Sequence, residues 1–370
     1  MPARRYLRHI RFIDGRSPDL SKSRYAARVT SLTLEMETDT NSGVKVAFVG
    51  KGGSGKTTLA ALFARYLCAS RGPDGDAPPV LAIDADINQH LAAALGAPEE
   101  EAVLLPALGD HLGEIKEYLR GVNPRISSAA AMVKTTPPGR GSRLVRIAEP
   151  NPLYERLVRE VGGVRLAVTG PFASEDLGVA CYHSKVGAVE LLLNHLVDGA
   201  GEYVVVDMTA GADSFASGLF TRFDLTFLVC EPTVRSVGVY RQYVGYARDY
   251  GVRVAVVGNK VDDADDVAFL REQVGADLLC WVGRSGFVKA GERGRVLPIA
   301  DLEPGNAAAL TTMRAALDGS VKDWARYTSQ AVDFHLRNAT AWGNERVGEN
   351  LADQVDPHFV LGPAISAALG

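Results

Sequence analysis

A glycine-rich segment that ends in a lysine and two threonines is the part of the chain best suited to bind a charged ligand. Residues 50–58 read GKGGSGKTT and fit the pattern G-x-x-x-x-G-K-[ST]. Such a loop surrounds nucleotide phosphates with backbone N–H groups; its lysine reaches the β- and γ-phosphates and the following hydroxyl holds Mg²⁺. We therefore expect a nucleoside triphosphate with Mg²⁺ at Gly52, Gly53, Ser54, Gly55, Lys56, Thr57 and Thr58, with Lys56 acting on the phosphates and Thr57 on the metal.

Polar side chains also follow three predicted strands, where a ligand cleft would form. They are Asp84 and Asp86 after Val80–Ile83, Asp207 after Tyr203–Val206, and Asn259 and Lys260 after Val252–Val257. Carboxyl ends of parallel strands meet at one edge of a sheet, so these side chains should gather around the phosphate loop. Taken singly, each aspartate is also compatible with a helix cap or a turn.

The elements that would position these residues alternate between short apolar runs and helix-period segments. The other strands are predicted at Val44–Val49, Val164–Val168, Leu225–Val229 and Leu278–Val282, and the clearest helices at Thr57–Ala69, Val186–Leu196, Val234–Tyr250 and Asn306–Leu317. Strands that are apolar on both faces and alternate with helices predict an α/β fold. We expect a doubly wound, mostly parallel sheet flanked by helices, of the P-loop NTPase kind, with a helical C-terminal extension.

Lys51, the first lysine of the loop, is typical of one family of ATPases. Residues 51–58 resemble the deviant Walker A sequence of the MinD/ParA superfamily of P-loop ATPases. Within it, residues 207–211, 230–236 and 259–261 look most like CooC-type carbon monoxide dehydrogenase maturation factors. In that superfamily this lysine crosses a dimer interface to the partner's phosphates. The resemblance implies an ATP-dependent homodimer in which Lys51 stabilises charge on the phosphates in trans. A solvated loop lysine is the alternative that the residue alone leaves open.

Two further segments are similar to the switches of this superfamily. Residues 84–88 read DADIN and resemble the D-x-D-P-[QN] switch I, with Ile87 in place of the proline. That likeness implies that Asp86 orients the attacking water. Residues 207–211 read DMTAG and resemble the D-x-x-A-G switch II. There Asp207 would hold Mg²⁺ through water, and Gly211 would turn its N–H toward the γ-phosphate.

The residues expected to bind the base are compatible with either ATP or GTP. Asn259 and Lys260 stand where a purine would lie, and in the MinD/CooC group an asparagine here serves adenine, with Pro298 in the loop on the other side of the base. Residues 259–262 read NKVD, however, and N-K-x-D is also the guanine signature of P-loop GTPases, in which the aspartate, here Asp262, accepts from the base. The resemblance to ATPases favours ATP as the ligand, and GTP stays the alternative.

The metal-binding cysteines of CooC-type proteins are only partly present. The G-C-x-C pair of that family corresponds to residues 178–181, where Val179 replaces the first cysteine. Two copies of Cys181 and His183 across a dimer would supply four ligands for a soft metal, whereas a lone cysteine beside a histidine is more often structural. Nickel insertion is therefore not transferred to this chain.

The ends of the chain differ from its centre. Residues 1–42 carry eight basic against five acidic residues and are predicted to form a flexible N-terminal extension, unless translation starts at Met36; a docking arm is the sharper alternative. Residues 43–318 would form the NTPase domain, with an insertion over 97–163 in which no strand is predicted, and 319–370 a helical extension. Phe359–Gly370 lacks Lys and Arg, so we expect no membrane-targeting helix of the MinD type.

Composition narrows the function classes. The 370 residues carry a net charge of −4, so nucleic acid is not the expected partner. Four cysteines without a C-x-x-C pair exclude a disulfide scaffold and, with no apolar stretch long enough to span a membrane, indicate a cytoplasmic protein. We expect an Mg²⁺-dependent ATP hydrolase, switched by its nucleotide, that regulates or matures an unknown protein partner. The alternatives are a nucleotide-binding adaptor without hydrolysis and a GTP-using regulator.

Overall fold

Eight strands form a single sheet in the computed structural model, which describes residues 43–70, 75–86, 88–171, 182–208, 215 and 218–362. The strand order is β3-β4-β2-β5-β1-β6-β7-β8, and every neighbouring pair is parallel except β3 with β4. The strands are β1 (Val44–Gly50), β2 (Val80–Ala85), β3 (Arg159–Val161), β4 (Val164–Val168), β5 (Tyr203–Met208), β6 (Leu225–Cys230), β7 (Val254–Val261) and β8 (Leu278–Gly283).

Helices cover both faces of this sheet. They are α1 (Lys56–Ala69), α2 (Leu91–Leu95), α3 (Glu99–Ala102), α4 (Leu112–Arg120), α5 (Pro152–Leu157), α6 (Tyr182–Asn194), α7 (Val234–Ala247), α8 (Ala264–Val274), α9 (Gly286–Gly291), α10 (Pro304–Asp318), α11 (Trp324–Asn338) and α12 (Asn344–Val347). Because the central strands β1, β2, β5 and β6 are buried along their whole length, they require apolar layers on both sides. The doubly wound α/β fold is confirmed.

Two strands differ from the sequence prediction. β3 lies within 97–163, where no strand was expected; it has three residues, and only Val161 is buried, so it leaves no periodic signal. β7 runs on to Val261, so Asn259 and Lys260 belong to the strand instead of following it. The pairing with β8 shifts register between Asn259 and Val261, and Lys260 has a φ of +58°, which is a local bulge at the end of the strand.

The C-terminal extension packs on the same body through buried charges. Lys322, just before α11, contacts Asp198 and lies 2.8 Å from Asp224 Oδ2, while Lys45 Nζ on β1 lies 2.5 Å from Asp198 Oδ1. Trp324 stacks beside both ammonium groups, at 4.9 and 4.8 Å from its ring centre. Strand β1 and the start of α11 are therefore joined by a water-excluded ionic cluster.

Several sequence predictions fall outside the described residues. These are the basic segment 1–42, Ile87, Gly211 and Cys181, together with the side chain of His183, and they stay predictions. Among the residues that the structure does describe, no group of three His, Cys, Asp or Glu side chains is arranged to hold a metal ion. None of the described helices is both long and apolar enough to cross a bilayer.

Candidate nucleotide-binding site

The loop between β1 and α1 has the backbone that its glycines predict. Gly53 and Gly55 have φ values of +81° and +91°, a region that side chains with a Cβ disfavour. A Cβ on Gly55 would also lie 2.2 Å from Asn259 Nδ2, so β7 approaches the loop at this point. The loop leads directly into the N-terminus of α1 at Lys56, where unpaired N–H groups favour anions.

Four of the predicted side chains meet beside this loop. Lys56 Nζ lies 2.6 Å from Asp86 Oδ2 and 3.9 Å from Asp207 Oδ1. Thr57 donates its hydroxyl to Asp207 Oδ2 at 2.6 Å. The carboxylates of Asp86 and Asp207 lie close together because β2 and β5 are neighbours. Asp84 and Asp207 are in register at the ends of the two strands. One lysine, one hydroxyl and two carboxylates thus share the mouth of the phosphate loop.

Asp84 stabilises the backbone that follows strand β2. Its Oδ1 accepts the N–H of Asp86 at 3.1 Å, and its Oδ2 accepts the N–H of Leu91 at 2.8 Å. The side chain is fully buried. Asp84 therefore fixes the turn that presents Asp86 and the start of α2.

Burial and pairing set the charges of the site. Burial raises the pKa of Asp207 to about 7, despite the nearby Lys56. It would also raise the pKa of Asp86, but hydrogen bonds from Lys56 and Asn88 hold that pKa below its usual range. Burial opposes the charge of Lys56, yet Asp207 and Asp86 raise its pKa above normal. Lys56 and Asp86 are consequently a charged pair. The raised pKa of Asp207 means that a further cation nearby would stabilise its charged form.

The residues around Asp207 fit Mg²⁺. Its Oδ1 is buried and accepts no hydrogen bond from the described part of the chain, and its Oδ2 is shared with the Thr57 hydroxyl. Carboxylate and hydroxyl oxygens are the hard ligands that Mg²⁺ prefers. A cation supplied with the nucleotide would satisfy the orphaned oxygen.

Asn259 and Lys260 act on the backbone of the phosphate loop. Asn259 Nδ2 donates to the carbonyl of Ser54 at 2.7 Å, and Lys260 Nζ donates to the carbonyl of Gly53 at 2.7 Å. Lys260 reaches the loop because of its bulged, positive-φ backbone. These bonds hold the loop in shape, and contact of either residue with a base stays a prediction.

Lys51, the lysine expected to act in trans, contacts residues of its own chain. Its Nζ donates to the carbonyl of Gly52 at 3.1 Å and lies 3.9 Å from Glu231 Oε2. Glu231 directly follows β6 and also bonds Lys260 at 2.8 Å. Sequence reasoning missed Glu231 as a site residue, although a carboxylate at the end of a central strand is the same signal that singled out Asp207.

A cleft of about 1690 Å³ opens from the loop toward the segment after β8. Its far wall includes Arg284, Phe287 and Leu297. Arg65 of α1 donates to the carbonyl of Leu297, and its guanidinium lies 5.5 Å from the centre of the Phe287 ring. Pro298 follows this wall, and its contact with a base stays a prediction. Ser54 is fully buried and does not line the cleft, and its hydroxyl makes no hydrogen bond within the described residues.

Glu303 fixes the far wall and was not found from the sequence. Its carboxylate accepts the Ser285 hydroxyl at 2.8 Å and the N–H of Phe287 at 3.1 Å. Burial would raise the pKa of Glu303, but these bonds keep it lowered. The wall opposite the phosphate loop is therefore tied to the first turn of α10.

Asp262 lies next to the cleft but does not line it. It forms an exposed pair with Arg284 at 2.7 Å and lines a separate depression of about 540 Å³ beside Arg271 and Trp281. The aspartate of the N-K-x-D reading thus lies outside the lining of the phosphate-loop cleft.

Two known proteins are similar in sequence to most of this chain. The carbon monoxide dehydrogenase accessory protein CooC of Rhodospirillum rubrum is 28% identical over 263 residues, which cover 70% of this chain and 91% of CooC. The chain resembles CooC-like ATPases of the MinD/ParA type. An uncharacterised ATP-binding protein of Methanocaldococcus jannaschii is also 28% identical, over 65% of this chain and 84% of its own length. No family model matches the chain.

Solved structures give weaker similarity. The Aquifex aeolicus MinC:MinD cell division complex matches at 20% identity and a TM-score of 0.47, over 76% of this chain and 98% of the matched chain. MinD of Pyrococcus horikoshii with Mg-ADP matches at 14% identity and a TM-score of 0.46, over 75% and 96% of the two chains. The sheet order and the phosphate loop define the fold of this chain.

Proposed function

We propose that this chain is an Mg²⁺-dependent ATPase, switched by its nucleotide, that dimerises around ATP and acts on a protein partner. One observation carries the proposal: Lys56 Nζ is paired with Asp86 at 2.6 Å, and Thr57 with Asp207 at 2.6 Å, at the mouth of one phosphate loop. A phosphate-binding cation, a water-orienting carboxylate and a metal-binding pair are the parts that phosphoryl transfer to water needs.

The residues divide the work between binding and hydrolysis. Loop N–H groups and Lys56 bind the β- and γ-phosphates, and the phosphates compete with Asp86 for the ammonium of Lys56. Asp86, released from Lys56 but held by its bond from Asn88 at 3.0 Å, orients a water molecule and accepts its proton. Thr57, and Asp207 through water, would hold Mg²⁺, which would neutralise charge on the phosphate oxygens.

ATP is the proposed nucleotide because the sequence resembles ATPases and a similar protein is named as ATP-binding. The surroundings of Asp262 support this choice. A guanine-specific site needs a carboxylate facing the base, whereas Asp262 is paired with Arg284 and lines another depression. Asn259 and Lys260 serve the loop backbone instead. The GTP-using regulator is therefore the weaker alternative.

The protein partner is proposed from the names of the similar proteins, and the dimer from the resemblance of the loop that carries Lys51. CooC is named as an accessory protein of carbon monoxide dehydrogenase, and MinD has been solved with MinC. We propose by analogy that two copies of this cytoplasmic chain close around ATP with Lys51 in trans, and that hydrolysis reopens them and changes the state of a partner protein. We propose no membrane and no nucleic acid as partners.

Light scattering after gel filtration, with phosphate release followed in parallel, tests this function. Wild type should form a dimer with Mg-ATP that weakens with Mg-ADP, and Lys51→Ala should stay monomeric and lose hydrolysis. Arg241→Ala, on the exposed side of α7, is the matched control that should behave as wild type. Nucleotide binding without turnover, with or without partners, would instead establish the adaptor, and faster turnover of GTP the GTP-using regulator.

A further inference from the structure

Glu231 lies between two lysines of the phosphate-loop region. Its Oε1 lies 2.8 Å from Lys260 Nζ and its Oε2 lies 3.9 Å from Lys51 Nζ. The same Lys260 ammonium bonds the carbonyl of Gly53 at 2.7 Å. One carboxylate therefore contacts the bracing lysine and the lysine proposed to act on a second copy.

The backbone of Glu231 is fixed by the start of α7. Its N–H donates to Ser236 Oγ at 3.0 Å, and its carbonyl accepts the N–H of Thr233 at 2.7 Å. Thr233 caps α7 by accepting the N–H of Ser236. Because Lys260 holds Oε1 in addition, the carboxylate keeps its place whether or not Lys51 is beside it.

We propose that Glu231 is a positioning residue that holds Lys51 over its own loop and so opposes transfer of this lysine to the phosphates of a second copy. This inference rests on the proposed dimer switch. To reach a partner's phosphates, the ammonium of Lys51 must move away from the carboxylate of Glu231. Separating these opposite charges costs free energy. Glu231 thereby sets how much ATP and protein are needed before two copies close.

The expected effect is small because the pair is partly exposed. The side chain of Lys51 is 35% exposed and that of Glu231 is 18% exposed. Pairs of this kind are weak, so loss of the carboxylate charge should tighten the ATP-bound dimer by about threefold.

Glu231→Gln in the full chain tests the inference. The amide keeps an oxygen for Lys260 but removes the charge that attracts Lys51. Sedimentation velocity with Mg²⁺ and a slowly hydrolysed ATP analogue gives the dimer dissociation constant, and a fluorescent ATP analogue at low protein concentration gives nucleotide affinity of the monomer. The same substitution in a Lys260→Met background separates the action on Lys51 from the action on the loop.

The expected result is a dimer dissociation constant that Glu231→Gln lowers about threefold in both backgrounds, while it changes the monomer's affinity for nucleotide by less than twofold relative to the same background without it. An unchanged or weakened dimer overturns the inference, and so does a gain that disappears in the Lys260→Met background. If wild type does not dimerise with ATP, the proposed function is wrong, and the proposed role of Glu231 is then wrong as well. If wild type dimerises and Glu231→Gln does not tighten the dimer, only the role of Glu231 is wrong.

Discussion

Lys56 Nζ lies 2.6 Å from Asp86 Oδ2, so the lysine proposed to bind phosphate and the carboxylate proposed to orient water form one ion pair. Asp86→Asn removes the charge and keeps the shape. Because Lys56 is then free for phosphate, nucleotide affinity should stay the same or rise. Hydrolysis should fall about 100-fold, the size typical of a lost general base.

Phosphate release and equilibrium binding of a fluorescent ATP analogue measure the two effects separately. Asn88→Ala is the control, since it removes a hydrogen bond to Asp86 Oδ1 and leaves the carboxylate in place. Its hydrolysis should fall less than about tenfold. Unchanged turnover in Asp86→Asn would remove this carboxylate from the mechanism.

Asn259 should matter for nucleotide binding through the loop. Asn259→Ala removes the bond from Nδ2 to the carbonyl of Ser54, and a lost buried hydrogen bond costs about 1 kcal/mol. The dissociation constant of ATP should therefore rise about five- to tenfold. Isothermal titration calorimetry at fixed Mg²⁺ measures the change.

Asp262 should matter little for either nucleotide. Asp262→Asn weakens only the exposed pair with Arg284, so affinity for ATP and for GTP should stay within about twofold of wild type. Competition binding with both nucleotides checks this result. A selective loss of GTP binding would show that Asp262 reads a guanine base after all.

The buried ionic cluster should be the most sensitive point of the C-terminal extension. Burial would raise the pKa of Asp198, but Lys322 and Lys45 hold it below its usual range. Lys322→Met leaves two buried carboxylates with one lysine fewer, which should lower the free energy of unfolding by about 3–5 kcal/mol.

Urea unfolding followed by tryptophan fluorescence measures this loss. Arg314→Ala is the control, because its pair with Asp318 is partly exposed and should contribute less than about 0.5 kcal/mol. A loss of similar size in both variants would mean that the extension is not held by this cluster.

His335 predicts a pH dependence of stability. Burial lowers its pKa to about 4 from 6.5, and its Nε2 bonds the carbonyl of Leu351 at 2.9 Å. A histidine whose pKa is lower in the folded state stabilises the protein above pH 6.5, and this stability is lost as pH falls toward 4. The loss should approach about 3 kcal/mol, since each unit corresponds to about 1.4 kcal/mol.

Urea unfolding at pH 7 and at pH 4.5 tests this dependence. His335→Gln should be less stable at pH 7 and should lose less stability on acidification than wild type. His358→Gln, at an exposed position, should follow wild type at both pH values. Identical pH profiles in all three proteins would contradict the assignment to His335. His195, whose pKa burial also lowers to about 4, contributes in the same pH window in all three.

The phosphate loop and the parallel sheet could be predicted from the sequence because both depend on local properties. Gly53 and Gly55 occupy positive φ, which their residue type allows at little cost. The central strands show as apolar runs because they are buried on both faces. Asp86 and Asp207 were placed together by one rule, that parallel strands end at the same edge.

The partners within the site were decided only by the tertiary structure. Asn259 meets Ser54 across 205 residues of sequence, and Thr57 meets Asp207 across 150. Which donor finds which acceptor depends on strand order and on the bulge at Lys260, neither of which leaves a periodic signal. The sequence by itself determined which residues are candidates for binding a nucleotide. The packing of distant strands decided that Glu231 lies between Lys51 and Lys260, because a side chain's neighbours are set by contacts that local propensity does not encode.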